Sequence, residues 1–202
     1  MLSRVVWAAP LFLLVLAACQ PVTPPTAVLS VDGPDVRLNG VPAETGDPVG
    51  PGDRVSTGAH SAARIGWSLD DSMIVDERSD PLYHWTGPDG RTLAINVGVG
   101  WFLIDAGTWH VRVDNEIATV AIGSRACFNV VPGRYLDVFL FEGTATVVHP
   151  AALTLASGEK VRISAEGTVT ADAIQAADRA AVEARFGRWN LPAISPPRPN
   201  RQ

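Results

Sequence analysis

Gly52-Asp53-Arg54-Val55-Ser56-Thr57-Gly58, followed by the run Ala62 to Leu69, is the stretch on which the fold turns. Two glycines bracket a short apolar–polar alternation, the pattern of a tight turn, a brief strand and a second tight turn. Behind it, Ala63, Ile65, Trp67 and Leu69 fall on one parity, and Arg64, Gly66 and Ser68 on the other. A period of two with one apolar parity is a strand with one buried face.

The same alternation recurs outward in both directions. Ala27 to Val31 and Val36 to Leu38 read as short strands, and Asn39-Gly40 between apolar runs is a two-residue hairpin signal. Pro48 to Gly52 and Asp70-Asp71-Ser72 read as turns, with a strand from Met73 to Val75, and Asp80-Pro81 and Gly87 to Gly90 read as loops. Leu93, Ile95 and Val97 share a face; Trp109, Val111 and Val113 share another, with His110, Arg112 and Asp114 opposite. Further strands are expected at Tyr135 to Phe141, Thr144 to Val148, Leu153 to Leu155 and Lys160 to Ile163. The 18 glycines and 16 prolines punctuate the 202 residues often enough for many short strands and few long elements. The expectation is an all-β fold, a compact β-roll or a two-sheet sandwich, whose units are too irregularly spaced for a regular solenoid.

Only one helix is expected. Thr170 is a candidate cap, and Ala171 to Phe186 is alanine-rich, with Ile174, Ala177, Ala181, Val182 and Phe186 on a narrow stripe and Gly187 as the stop. Such a helix packs on the sheet and covers an edge, or else it binds a partner. The domain division read from these patterns is a targeting segment at 1–18, a proline-rich linker at 19–27, a β domain at 28–169, a helix at 170–188 and a disordered tail at 189–202.

The first segment has a positive start at Arg4 and an apolar run, Val5 to Leu16, too short to span a bilayer. Leu16-Ala17-Ala18-Cys19 then resembles the lipobox of bacterial lipoproteins. That resemblance implies cleavage before Cys19, acylation of its thiol and a stable membrane anchor. Gln20 after the cysteine, in place of aspartate, resembles the outer-membrane default in diderm bacteria. Gln20 to Ala27 would be an extended spacer that holds the folded part off the membrane. With Cys19 acylated, Cys127 has no disulfide partner in the chain. It reads as a small packing residue in a strand, with a reactive thiol as the alternative.

The ordered motifs of the β region resemble the FecR-type domain, a bacterial cell-envelope module. The carriers are the Gly52 to Gly58 block with its strand, then Gly123-Ser124 with Phe128 and Val130, where serine replaces the family's threonine. Glu142-Gly143 before a strand and Ser157-Gly158-Glu159 before the closing strand follow in the family's order. The resemblance runs from about Val28 to Ile163. It implies a cell-envelope role. Some FecR-type proteins are anti-sigma regulators with a cytoplasmic head, for which Met1 to Arg4 leaves no room.

Chemistry is sparse. The net charge of −5 argues against a nucleic-acid partner. His60, His84, His110 and His149 lack metal-ligand spacing, and no nucleophile elbow or phosphate loop is present. No cofactor, metal or catalytic residue is therefore expected. His110, Arg112 and Asp114 form a solvated outer face or hold an anion or a sugar. Trp67 and Trp109 read as core, and Trp85 beside Tyr83, in a loop, as the exposed aromatic most suited to binding. The expected protein is a non-enzymatic, lipid-anchored envelope module that binds glycan, peptidoglycan or a partner protein. The alternative is an envelope signalling component without a cytoplasmic anti-sigma segment.

Overall fold

The computed structural model describes residues 26–68, 71–85, 92–107 and 110–190. The expected anchor Cys19, the core candidate Trp109 and the end of the tail lie outside them. The strands in chain order are β1 (Ala27–Asp32), β2 (Val36–Leu38), β3 (Val41–Pro42), β4 (Pro48–Val49), β5 (Val55–Thr57), β6 (Ala62–Gly66), β7 (Asp71–Val75), β8 (Pro81–Trp85) and β9 (Thr92–Val97). They continue as β10 (Gly100–Ala106), β11 (His110–Asp114), β12 (Thr119–Ile122), β13 (Arg125–Val131), β14 (Tyr135–Glu142), β15 (Thr144–His149), β16 (Leu153–Ala156), β17 (Glu159–Ser164) and β18 (Val169–Ala173). Among the described residues there is one helix, α1 (Ala176–Phe186), after the last strand.

The architecture is all-β, as the alternation predicts, and of the two expected forms it is the sandwich. A nine-stranded sheet, in the order β18-β17-β14-β13-β10-β7-β6-β1-β4, faces a six-stranded sheet, β16-β15-β12-β11-β9-β8. From β8 onward the chain alternates between them, so consecutive hairpins supply opposite layers. β9 and β11 pair in parallel while β10, between them in sequence, lies in the other sheet. Phe102, Ile104, Phe128 and Leu136 from one layer, and Leu93, Ile95, Val113 and Val120 from the other, form one continuous core. Ala63, Ile65 and Trp67 belong to that core as their parity predicts, while Arg64 and Ser68 are only partly buried.

The Gly52–Gly58 block forms part of a small third sheet, β3-β2-β5. The Asn39-Gly40 hairpin has φ of 55° and 81°, which is why this dipeptide stands there. The Asn39 side chain donates to Asp53 Oδ1 at 2.7 Å and accepts from the Arg54 amide at 2.9 Å. Asp53 also accepts from the Gly50 amide. The Thr57 hydroxyl donates to the Asp76 carbonyl and accepts the Ser79 amide at 3.0 Å. At Gly58 a Cβ would lie 2.0 Å from Asp35 Oδ2, so close approach requires glycine there, not a positive φ. Asp53 thus joins two turns to each other, and Thr57 ties its strand to the loop after β7.

The nine-stranded sheet is buried on both faces along its middle. In β13, Ala126, Phe128 and Val130 point into the sandwich, while Cys127 belongs to a second apolar cluster with Ile74, Leu103, Phe139, Ile174, Val182 and Phe186. This double burial explains why β7, β10, β13 and β14 read as nearly unbroken apolar runs.

Several boundaries differ from expectation. Pro48–Val49 pairs with β1 instead of turning, and Asp71 and Ser72 open a strand. Trp85 ends strand β8 and is not in a loop. The helix starts at Ala176, since Val169–Ala173 pairs along β17, with Thr170 opposite Arg162. Edge pairing prevails over alanine's helix preference there, and the cap comes from Asp178, whose carboxylate accepts the Gln175 amide at 2.9 Å. Ala177 and Ala181 are exposed, so the buried stripe within α1 reduces to Val182 and Phe186. The helix lies on the face of the sheet across β7, β10, β13 and β14, and not along an edge.

Candidate functional site

The outer face beneath α1 is where polar and apolar chemistry converge. Phe186 and Val182, one turn apart, descend on Ile74, Leu103, Cys127 and Phe139. At the helix's C-terminal end sits Asp76, just past β7, with 0% exposure. Its carboxylate takes the Arg185 guanidinium on Oδ2, and on Oδ1 it accepts Arg188 at 3.0 Å and the Trp189 indole N–H at 2.6 Å. A buried carboxylate is tolerable only when paired and hydrogen-bonded, and three donors achieve that here. Arg185 also lies over the Trp101 ring, 4.8 Å from its centroid, and Trp101 stacks on Phe139 at 6.1 Å. Arg188 reaches Glu77 at 3.2 Å. Glu77 is held below the usual carboxylate range, chiefly by the His60 amide and further by Arg188.

The helix is pinned at three more points. Lys160 Nζ donates to Asp178 at 2.7 Å, the Ile174 amide donates to the Gly158 carbonyl at 2.7 Å, and the Asn190 amide donates to Asp32 at 2.7 Å. Alongside α1 the apolar face is closed over Ile74 and Leu103, which are buried, and Phe141 stays partly buried at its margin. A groove of about 450 Å³ has Ile74, Leu103 and Phe141 on the sheet side and Val182 and Phe186 on the helix side. Arg125, Glu142, Arg179 and Glu183 also line it, and Arg179 leans over the Phe141 ring at 5.7 Å.

The residues singled out in the sequence lie elsewhere. Tyr83 and Trp85 are on β8, the edge strand of the six-stranded sheet, in register with Ile95 and Leu93. Arg112 donates to Asp114 at 2.8 Å, and Asp114 also accepts the Thr119 hydroxyl at 2.7 Å, so that face satisfies its own charges. Cys127 is the packed residue expected: it is fully buried, and burial pushes its thiol well above the ordinary range, away from the reactive thiolate. Sequence reasoning missed the Asp76 cluster. Its partners lie 109 to 113 residues away, and the visible signal was a basic–aromatic end to the helix, Arg185, Arg188 and Trp189, at spacings of three and four.

No family model matches the chain, and no curated protein does. Two crystal structures of a proposed anti-sigma factor from Parabacteroides distasonis share its fold, each with a TM-score of 0.53 and 11% identity. The matches cover 63% and 64% of this chain and 62% and 63% of the other, so the chain spans less than two thirds of those structures. At this identity the likeness carries the fold alone.

Proposed function

We propose that the chain is a non-enzymatic binding module of the bacterial cell envelope, FecR-like in its β domain. In this reading Cys19 is its lipid attachment site, and it sits in the outer membrane facing the periplasm. Its partner is a protein of that compartment. The observation that carries a protein partner over a glycan is the outer sheet face, where an apolar floor adjoins a buried carboxylate already matched to a helix. An apolar floor with a single charged anchor is helix-in-groove chemistry. A second reading, a component of envelope signalling, is favoured by the fold shared with the proposed anti-sigma factors.

Fractionation tests the anchor: wild type should sediment with membranes and Cys19→Ala should become soluble. A Cys19→Ala chain that stays with membranes would remove the lipid anchor. Crosslinking in intact cells then asks for the partner, and recovery of sacculus fragments lost on Trp85→Ala would assign binding to glycan through β8 instead.

A further inference from the structure

We infer that β18, the terminal strand of the nine-stranded sheet, is the contact through which two copies of this chain join, antiparallel and about a two-fold axis at Ala171, into one continuous sheet. The inference goes beyond the binding reading above and rests on no part of it.

An edge strand with free backbone groups is a template for further pairing, and folds blunt such edges with proline, short length or cover. The other edges of the two large sheets are blunted in this way. β4 is two residues long and opens on Pro48, β8 opens on Pro81 and lies against β5, and β16 lies against β17. β18 has none of these devices. It is five residues long, without proline or lysine, and Thr170 to Ala173 are exposed. Its pairing with β17 runs without a bulge, and nothing among the described residues pairs with its other side.

The register shows which backbone groups are free. The Ser164 amide donates to the Thr168 carbonyl at 2.9 Å, and the Ile174 amide donates to the Gly158 carbonyl at 2.7 Å. These bonds flank β18, and in an antiparallel ladder bonded pairs alternate with unbonded ones. Thr170 with Arg162 and Asp172 with Lys160 are therefore the bonded pairs, so Val169, Ala171 and Ala173 turn N–H and C=O away from β17. Of these groups the Ala173 amide is taken by Asp172 Oδ1 at 2.8 Å.

A second copy fits because the strand, Val-Thr-Ala-Asp-Ala, complements itself about its centre. With Ala171 opposite its twin, the pair exchanges both backbone bonds, and Val169 meets Ala173 of the second copy. Thr170 then faces Asp172 of the second copy as an unbonded pair, the kind whose side chains lie closest, and its hydroxyl donates to that carboxylate. Beside the carboxylate stands Lys160 of its own chain, so no like charges face one another. On the other side of the strand, Val169, Ala171 and Ala173 meet only one another and extend the row of buried Val161 and Ile163. A foreign strand would match these positions only by coincidence, so the complementarity selects a second copy.

The test uses the full chain carrying Cys19→Ala, purified in mild detergent so that Val5 to Leu16 cannot drive association. Sedimentation velocity should show a monomer–dimer mixture that shifts to dimer as concentration rises. Ala171→Pro removes an outward N–H and leaves the ladder with β17 intact, and it should abolish the dimer. Should that variant lose its sheet by circular dichroism, Ala171→Lys, which sets like charges together on the axis, should abolish the dimer instead. Oxidative crosslinking reads the register. Ala171→Cys should form a disulfide-linked dimer, since Cα atoms of a bonded pair lie about 5.5 Å apart. Thr170→Cys should link only when mixed with Asp172→Cys, and Cys127, fully buried, should stay silent. A chain that is monomeric at every concentration overturns the proposal. So does a dimer that persists in both Ala171→Pro and Ala171→Lys, or Thr170→Cys linking to itself as readily as Ala171→Cys. A monomer whose Ala171 amide gains exchange protection only in envelope extract assigns the edge to a foreign strand and overturns the second copy. No lipid enters the measurement, so its failure is separable from failure of the anchoring test.

Discussion

Removing the two arginines from Asp76 should harm the fold more than removing the aspartate's charge as well. In Arg185→Ala/Arg188→Ala, a carboxylate with no exposure keeps only the Trp189 indole N–H on its side chain. Breaking a buried pair from one side costs about 3–5 kcal/mol, because the stranded charge has lost its water. The loss has a ceiling, since α1 can detach and let water reach Asp76. What detachment forfeits is the burial of Val182 and Phe186, about 1.5–3 kcal/mol each as an upper bound. The double variant should therefore lose about 3–5 kcal/mol, near the point where the helix lets go. Asp76→Asn alone should lose about 1–2 kcal/mol. The freed arginines, 34% and 43% exposed in their side chains, can turn to solvent. The decisive chain is the triple variant, which should regain about 1–3 kcal/mol over the double because a neutral amide is cheaper to leave buried than an unpaired carboxylate. Urea unfolding read by tryptophan fluorescence and far-ultraviolet circular dichroism measures all three. A triple variant as unstable as the double would refute the claim that stranded charge, and not lost contact area, dominates the cluster.

Two further outcomes are expected. Gly143 has φ of +79°, and a Cβ there would lie 2.2 Å from Ser124 Cβ. Gly40, at +81°, has nothing within 4 Å. Gly40→Ala should cost about 1–2 kcal/mol from conformation alone, and Gly143→Ala measurably more in the same urea titration. Asp178 is held below the usual carboxylate range chiefly by Lys160, with the Gln175 amide second, and Glu77 is lowered as well. Because their folded-state values lie below the unfolded ones, both contribute stability that is present above about pH 4.5 and lost as pH falls through the folded values. The urea midpoint should decline in acid, and Lys160→Ala should make that decline shallower.

What the sequence made legible was local chemistry. The parity of Ala63, Ile65 and Trp67, the positive φ demanded of Asn39-Gly40 and the packing role of Cys127 are set within a few residues of themselves. Ser124 and Gly143, singled out in separate motifs of the sequence, come together at one crossing. What stayed hidden depends on distant pairing. The start of α1 was misplaced because β17 recruits Val169–Ala173 as an edge strand, which no helix propensity reveals. The direction in which the helix packs follows from four strands whose second apolar face was visible only as unbroken runs. Asp76 reads in sequence as one acid after Met73-Ile74-Val75, and its importance arises only when the chain's last described residues return to it.

The tie between Asn190 and Asp32 joins groups 158 positions apart. While the chain is being synthesised, β1, β7, β10, β13 and β14 can associate before that tie has any material to form from. Through this interval Ile74, Leu103 and Phe139 lie open to water on a finished-looking sheet. The nascent protein is most adhesive just before its final dozen-odd described residues emerge, and a stalled or prematurely ended chain would keep that tacky surface for good.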